Sequence, residues 1–376
     1  MGDADQGNAG EPTGGRRRLS TELTVAIIAA VGVVLAAAVT GIFQFLDSGS
    51  SSSGSVSFSP SATPSATVSS PGPSPTSTAT TSQSPVPNLI TLTSPGVDAV
   101  AYSFDGNYLA SGNANGVVRV WQTSNWQVRN TMTDPGSKGV TSVAFNQANS
   151  LLASGDANGH VYLWANGLVQ SLGDPSGAPI RSVAFSQDNK FLAIGDADGG
   201  VDVWQVSDWD LVSRMTDPES KGVTSVAFNP ENSLLAAGDA NGHVYLWASD
   251  HYTTLNDPSG SAVQSVVFTA DDKALVGGDA AGHVYVWQMS TGEATESLND
   301  PGSEGVASVA FNTNSTTIAA ADRNGDVYLW LYKLVGTLQV PAAGSALSVA
   351  YSPDDSHLAI ASSSGRVYVW PVSSSP

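Results

Sequence analysis

Short segments in which apolar and polar residues alternate recur from about residue 88 to the end of the chain. In one such unit, Val223–Phe228 reads VTSVAF, Leu234–Ala240 is a short apolar run, and His243–Trp247 follows the turn Asp-Ala-Asn-Gly. Alternation with β-branched and aromatic residues predicts three strands here, and a fourth is expected just upstream at Leu211–Met215. No part of the unit has a 3.6-residue spacing long enough for a helix.

The same unit occurs seven times. Met215–Trp247 is identical to Met132–Trp164 at 29 of 33 positions. The weaker copies end at Trp121, Trp204, Trp287, Trp330 and Trp370. Successive repeat tryptophans are alternately 43 and 40 residues apart. A period near 40 is too long for a leucine-rich repeat and is typical of a four-stranded propeller blade, so the repeats predict seven blades.

These repeats resemble the WD-repeat β-propeller family over roughly residues 88–376. The matching residues are VTSVAF for the innermost strand, LLASGDANG for the second strand and its hairpin, and VYLW for the third. The resemblance implies an all-β, seven-bladed ring that acts as a rigid platform for protein partners. Two features depart from the family. Asp-Pro replaces the usual Gly-His, and no repeat tryptophan is followed by Asp, so the family's buried His–Asp–Trp network is not assumed here.

The two ends of the repeat region predict how the ring closes. The last unit ends at Trp370–Val372 with no fourth strand behind it, whereas Leu89–Leu92 forms a short strand ahead of the first unit. Pairing the two would complete the last blade and remove the open sheet edges. We therefore expect a last blade of three C-terminal strands and one N-terminal strand.

The first 87 residues differ from the repeats. Residues 1–22 form a polar tail that ends near Arg16-Arg17-Arg18, and residues 23–46 form an apolar run long enough to span a bilayer. Because the basic residues precede the run, the positive-inside rule places the tail in the cytoplasm and the repeats outside the cell. A cleaved signal peptide that uses Ala36-Ala37-Ala38, or a twin-arginine export signal, is the alternative.

Residues 47–87 are rich in Ser, Thr and Pro, and residues 48–87 contain no charged residue. Such a segment cannot bury a core, so it predicts an extended stalk, either passive or O-glycosylated. The chain contains no cysteine, which excludes disulfides and thiolate chemistry. Its formal charge of −19 disfavours nucleic acid and favours a basic protein or a cation as the partner.

Two loops of each unit carry candidate binding residues. In five units, the loop before the inner strand and the hairpin between the second and third strands each contain an aspartate, 22 residues apart. The pairs are Asp134 and Asp156, Asp174 and Asp196, Asp217 and Asp239, Asp257 and Asp279, and Asp300 and Asp322. At the same spacing the first unit has Thr91 and Asn113, and the last has Val340 and Ser362. The family likeness places both loops on one face, so we expect an acidic arc over five blades.

The aspartates have two interpretations. Asp-Pro and Asp-x-Asn-Gly sequences favour tight turns, which alone would explain the residue type. Calcium binding is the sharper interpretation, but each loop offers at most two carboxylates where Ca²⁺ requires six to eight oxygen ligands. Around the channel we expect the rim residues Thr141, Arg181, Thr224 and Gln264 to contribute to a partner site.

The remaining candidates do not form a catalytic or metal constellation. His160, His243 and His283 occupy equivalent positions in different blades, so they are expected to be exposed and cannot converge on one zinc ion. No nucleophile elbow, zinc-protease motif or phosphate loop is present. Trp126 and Trp209 lie outside the repeat series and are expected to pad the outer edges of their blades, or else to be exposed anchors.

The sequence thus predicts a non-enzymatic, membrane-anchored, monomeric propeller that binds a protein partner through its acidic face and needs no cofactor. A calcium-dependent ligand or carbohydrate binder is the alternative from a different functional class.

Overall fold

A computed structural model describes residues 89–372, except 166, 217–220, 249–250, 300–301, 332 and 342–343. The predicted tail, membrane span and stalk, together with Asp217 and Asp300, therefore lie outside the described residues. Within the described part of the chain, no helix is long and apolar enough to cross a membrane.

In the described part of the chain, 28 strands form seven antiparallel, four-stranded sheets. Blade 1 contains β2 (Val97–Tyr102), β3 (Tyr108–Asn113), β4 (Val117–Gln122) and β5 (Gln127–Thr133). Blade 2 contains β6 (Val140–Phe145), β7 (Leu152–Asp156), β8 (His160–Trp164) and β9 (Leu168–Gly173). Blade 3 contains β10 (Ile180–Phe185), β11 (Phe191–Asp196), β12 (Gly200–Gln205) and β13 (Leu211–Thr216). Blade 4 contains β14 (Val223–Phe228), β15 (Leu235–Asp239), β16 (His243–Ala248) and β17 (His251–Asn256).

Blade 5 contains β18 (Val263–Phe268), β19 (Ala274–Asp279), β20 (His283–Gln288) and β21 (Ala294–Asn299). Blade 6 contains β22 (Val306–Phe311), β23 (Ile318–Asp322), β24 (Asp326–Leu331) and β25 (Lys333–Gln339). Blade 7 contains β26 (Ala346–Tyr351), β27 (His357–Ser362), β28 (Arg366–Pro371) and the N-terminal β1 (Ile90–Thr93). The inner strands of neighbouring blades are in contact, and β2 contacts β26 to close the ring. The predicted seven-bladed, all-β propeller is confirmed.

The closing strand pairs as the sequence predicts. Strand β1 runs antiparallel to β28, with Ile90 opposite Val369 and Thr93 opposite Arg366. Leu92 points into the core and is 5% exposed. The first and last parts of the described chain therefore share one sheet, which leaves no incomplete blade.

We use two terms for the ends of the ring. The upper end carries the interblade loops, which lead into each inner strand, and the upper hairpins, which join the second and third strands. The lower end carries the lower hairpins, which join the inner and second strands. Strand β1 starts at the lower end, because it pairs with the end of β28 there.

Blades pack through small residues on the second strand. A Cβ added to Gly238 would lie 2.8 Å from Cγ1 of Val263 in the next blade, which is too close for a real contact. Blade 6 has Ala321 at the equivalent position, and the facing residue of blade 7 is Ala346 instead of valine or isoleucine. At this junction, a methyl group gained on one side is matched by a smaller residue on the other, whereas blade 7 places Ala361 in one core cluster with Val97 of blade 1.

Serines of the inner strands link the blades around the channel. In six blades, the hydroxyl of a serine accepts a hydrogen bond from a valine N–H of the next inner strand. The six bonds join Ser348 to Val100 (3.3 Å), Ser142 to Val183 (3.2 Å), Ser182 to Val226 (3.0 Å), Ser225 to Val266 (3.1 Å), Ser265 to Val309 (3.1 Å) and Ser308 to Val349 (3.3 Å). Blade 1 has Ala99 at this position, so the serine ring is open between blades 1 and 2.

A second set of links runs along the lower end. Each lower hairpin has one residue with positive φ, and in six blades its side chain accepts an N–H from the preceding blade. The acceptors and donors are Asn149 and Asp105, Asn189 and Ala148, Asn232 and Gln187, Asp272 and Glu231, Ser315 and Ala270, and Asp355 and Thr313, at 2.6 to 3.4 Å. Blade 1 has Gly106 here, so this ring is open between blades 7 and 1.

Deleting residues 88–93 should destabilise the whole ring, because blade 7 loses its outer strand and Leu92 its buried site. We expect a loss of at least about 2 kcal/mol, seen as a single transition several degrees lower in a thermal melt. Deleting residues 76–81 instead is the control and should leave the melting temperature unchanged. An unchanged melting temperature for the first deletion would contradict the closure described above.

Completing the serine ring should stabilise the protein. We expect Ala99→Ser to raise the free energy of unfolding by about 1 kcal/mol, and Ser225→Ala to lower it by about the same amount, in urea unfolding. A destabilised Ala99→Ser variant would show that the interface between blades 1 and 2 has no room for the link.

Candidate functional site

The upper hairpins are held by their own aspartates. The side chain of Asp156 is fully buried, and its Oδ1 accepts the backbone N–H of Asn158 (2.9 Å) and of His160 (2.8 Å). Asp196, Asp239 and Asp279 accept the N–H groups two and four residues ahead in the same way, and blade 1 does so with Asn113. Asp322 is also buried and accepts the N–H of Asn324 (2.7 Å). Turn formation therefore accounts for the residue type at these positions.

The described interblade-loop aspartates are also largely covered. Asp134 is 3% exposed and Asp257 is 5% exposed. The side chain of Asp174 is 1% exposed and accepts hydrogen bonds from Ser176 N–H (3.0 Å) and Ala178 N–H (2.9 Å). The eight described aspartates thus lie largely beneath the upper surface. Seven of them accept backbone N–H groups of their loops, whereas the side chain of Asp134 has no hydrogen-bond partner among the described residues. Their role in partner binding stays a prediction.

Two blades bring a pair of carboxyl groups together in a buried place. In blade 2, burial and the neighbouring Asp156 raise the pKa of Asp134 to about 6. In blade 5, burial raises the pKa of Asp257 to about 6, with Asp279 adding to the shift, whereas hydrogen bonds from its own loop oppose it. Like charges in a desolvated site disfavour a second ionised carboxylate, so Asp134 and Asp257 each keep a proton up to about pH 6.

In blade 3, an arginine lies beside the buried carboxylates and offsets their negative charge. The guanidinium of Arg214, on the outer strand β13, lies 3.2 Å from Asp174, 3.1 Å from Asp196 and 2.9 Å from Asp202. Burial nevertheless raises the pKa of Asp202 to about 6. The other blades, apart from blade 1 with Arg119, have a tyrosine where blade 3 has Asp202. The tyrosines are Tyr162, Tyr245, Tyr285, Tyr328 and Tyr368.

Two histidines contact upper-hairpin aspartates, although the sequence predicts that they are exposed. Nδ1 of His243 lies 3.3 Å from Oδ2 of Asp239, and Nδ1 of His283 lies 3.0 Å from Oδ2 of Asp279. Both rings are partly covered, so the expectation of exposure is wrong for them. His160 is exposed as expected. The histidine stands four residues after the aspartate, at the point where the upper hairpin brings the chain back.

The four predicted rim residues divide into two kinds. Thr141 Oγ1 donates to the carbonyl oxygens of Gly155 (3.0 Å) and Ile180 (2.7 Å), and Thr224 makes the equivalent bonds to Gly238 and Val263. These two threonines therefore join blades. Gln264 accepts a hydrogen bond from Arg323 (2.8 Å) and is half-buried. Arg181 is the exposed member of the four.

The two blades that lack these aspartates, blades 7 and 1, are neighbours in the ring, and one of the positions predicted for them is wrong. Val340 occupies the interblade-loop position of blade 7, since its N–H donates to Gly325 as that of Asp134 donates to Gly116. In blade 1 this position belongs to Ser94, whose N–H donates to Gly365, and not to Thr91. The loop of blade 1 is three residues shorter, so a constant spacing of 22 selected the wrong residue.

The described residues contain no group of three or more His, Asp or Glu side chains that could hold a metal ion. Trp126 and Trp209 are half-buried and pack against the cores of their own regions, as predicted for padding residues. Both have positive φ, at 58° and 62°, which is rare for a bulky side chain. In blade 5, Gly292 occupies the corresponding left-handed position.

The family model described as "WD domain, G-beta repeat" matches six segments of the chain. These are residues 87–122, 126–165, 167–205, 209–248, 293–330 and 332–371. A comparison with curated proteins finds no match. Each segment covers the first three strands of one blade, for blades 1 to 4, 6 and 7, together with the outer strand of the blade before it. The structure adds strands β17 to β20, which include the first three strands of blade 5, between the fourth and fifth segments.

The buried pair in blade 2 should make stability depend on pH. The pKa of Asp134 is raised from 3.8 to about 6 in the folded protein, so the folded state binds this proton more tightly. The contribution of Asp134 to the free energy of unfolding therefore falls as pH rises from about 4 to about 6. We expect Asp134→Asn to stabilise the protein by about 1 to 2 kcal/mol at pH 7.5 and by little at pH 4, in urea unfolding.

Asp354→Asn is the control, and it should lower the free energy of unfolding at pH 7.5 where Asp134→Asn raises it. Hydrogen bonds from Ser352 and Ser356 lower the pKa of Asp354 to about 2, so its contribution is present at pH 7.5 and lost on acidification. Equal stability of wild type and Asp134→Asn at both pH values would show that Asp134 is ionised without cost.

Proposed function

The chain belongs to the WD40 family, and we propose that it is a protein-interaction platform displayed outside the cell by an N-terminal membrane anchor at residues 23–46. WD40 propellers typically bind protein partners and are usually non-catalytic scaffolds. The partner would be a protein, with basic groups facing the upper end of the ring.

The observation that carries this proposal is the rigidity of the upper end. Each described aspartate-bearing hairpin is fixed by a buried carboxylate that accepts backbone N–H groups, and Thr141 and Thr224 tie the inner strands to the next blade. A surface whose loops are already ordered loses little conformational entropy on binding. Such a surface favours recognition of a macromolecule over chemistry in the channel.

Charge supports a basic partner, although indirectly. The buried carboxylates do not offer direct contacts, so a partner would meet the exposed Asp198 and Glu304 of the upper end, and the half-buried Asp326. The chain carries a formal charge of −19, and its field speeds the approach of a positively charged surface. Arg181 and Lys138 are exposed at the same end, which gives the surface a mixed pattern that can select a register.

The connectivity of the ring is consistent with display on an anchor. Strand β1 starts at the lower end, and β28 also ends there. A stalk that precedes Leu89 would therefore join the ring at the end opposite to the upper loops.

Affinity capture from detergent-solubilised envelopes of the native host tests this proposal, with the full-length chain as bait. We expect the triple variant Asp198→Asn, Glu304→Gln and Asp326→Asn to retain at least about tenfold less partner than wild type. The matched control changes three exposed carboxylates of the lower end, as Asp105→Asn, Asp188→Asn and Asp271→Asn, and should retain the partner. Loss of the partner in the control variant alone would place the interaction at the lower end and overturn the proposal.

A further inference from the structure

A groove opens between blades 1 and 2 at the lower end, away from the upper loops. Its volume is about 350 Å³, and it is lined by strands β3, β4 and β5 on one side and by blade 2 on the other. Met132, Phe145, Leu152 and Trp164 provide apolar surface in this groove. The volume is at the small end of the range for ligand sites, so it suits one or two residues of a peptide and not a helix.

One cation is fixed at the groove. The guanidinium carbon of Arg129 lies 5.2 Å from the centre of the Tyr108 ring, a cation–π arrangement that holds the side chain in place. Arg129 is exposed, and among the described residues it forms no ion pair with a carboxylate. Within the described residues, Arg129 therefore has no carboxylate partner that an anion bound at the groove would have to displace.

The groove lies at the interface that lacks the serine link. Ala99 leaves blades 1 and 2 without the hydrogen bond that joins the other neighbouring inner strands. The lower-end link between the same two blades, from Asp105 N–H to Asn149, is also the longest of its set at 3.4 Å. This interface is therefore the one best able to adjust to an inserted group.

We propose that the groove binds the C-terminal residue of a protein or peptide, with its apolar side chain against Phe145 and Leu152 and its α-carboxylate on Arg129. A planar guanidinium recognises a carboxylate through two parallel hydrogen bonds. In a C-terminal residue, the side chain and the carboxylate share one Cα, so both can be accommodated within a site of this size. In an internal aspartate or glutamate, the carboxylate is on the side chain itself, so the apolar group would have to come from a neighbouring residue.

The test uses the full-length protein in detergent and the labelled peptide Gly-Ser-Gly-Ser-Gly-Leu, with fluorescence anisotropy as the readout. We expect the free-acid peptide to bind, and both its C-terminal amide and the peptide ending in Ser to bind at least about tenfold more weakly. Arg129→Gln should weaken the free-acid peptide by the same factor. Lys273→Gln, which removes an exposed positive charge from another lower hairpin, should leave the affinity unchanged.

Three outcomes would overturn the proposal. These are no binding of the free acid, equal binding of acid and amide, and equal affinity of wild type and Arg129→Gln when both have the same melting temperature. Displacement of the peptide by hexanoate at equal concentration would also overturn it, because the occupant would then be an aliphatic acid and not a chain end. None of these results depends on the upper end, since the three carboxylates proposed to contact a partner there are unchanged in every sample.

Discussion

Ring closure is the constraint on which the rest of the structure depends. A single four-stranded blade leaves both faces of its sheet exposed, and only two neighbouring blades cover them. The contact is tight enough that Gly238 has no space for a methyl group beside Val263. Neighbouring inner strands, except those of blades 1 and 2, are also joined by a serine hydrogen bond of about 1 kcal/mol, and these bonds together favour a closed ring over an open array of blades.

At the upper end, an aspartate that is needed to form a turn also places its charge next to a second buried carboxyl group. Asp156 is needed as an acceptor for two N–H groups, yet Asp134 is buried beside it. Burying two carboxyl groups together is costly unless a proton or a cation lies near them. In blade 2 the raised pKa of Asp134 keeps its proton up to about pH 6, whereas blade 3 inserts Arg214. Blades with equivalent backbones thus stabilise the same buried pair of carboxyl groups in different ways.

The repeat period, the strand order and the ring closure could be predicted because each depends on short sequence patterns within the repeats. The alternation of VTSVAF, the turn residues and the unpaired strand at Leu89–Leu92 are all visible in one dimension. The contribution of Arg214 could not be predicted, since it lies 40 residues from Asp174 and meets it only after blade 3 forms. The pairs that His243 and His283 form with aspartates four residues earlier could not be identified from that spacing alone, because His160 stands four residues after Asp156 and is exposed. The burial of the aspartates could not, because Asp in a loop is usually exposed.

The sequence also did not reveal the two interblade hydrogen bonds that blade 1 lacks. Alanine in a strand and glycine in a turn are common, so Ala99 and Gly106 attract no attention by themselves. Only a comparison with the six serines and six polar hairpin residues of the other blades shows that they remove a hydrogen-bond acceptor. Blade 1 is accordingly the blade with the fewest polar ties to its neighbours. The tryptophan of its outer hairpin, Trp126, compensates in part through an edge contact with His357 of blade 7.

The central claim, that a protein partner binds the upper end, is tested most directly by site-specific photo-crosslinking in the native host. A photoreactive phenylalanine analogue would replace Arg181 at the upper end in one strain and Asp188 at the lower end in another. Both positions are exposed. Because Asp188 accepts hydrogen bonds from Ser186 and Lys190 of its own hairpin, both variants are first required to keep the wild-type melting temperature. The account predicts a discrete crosslinked protein from position 181 and none from position 188. A crosslinked protein from position 188 alone would contradict it.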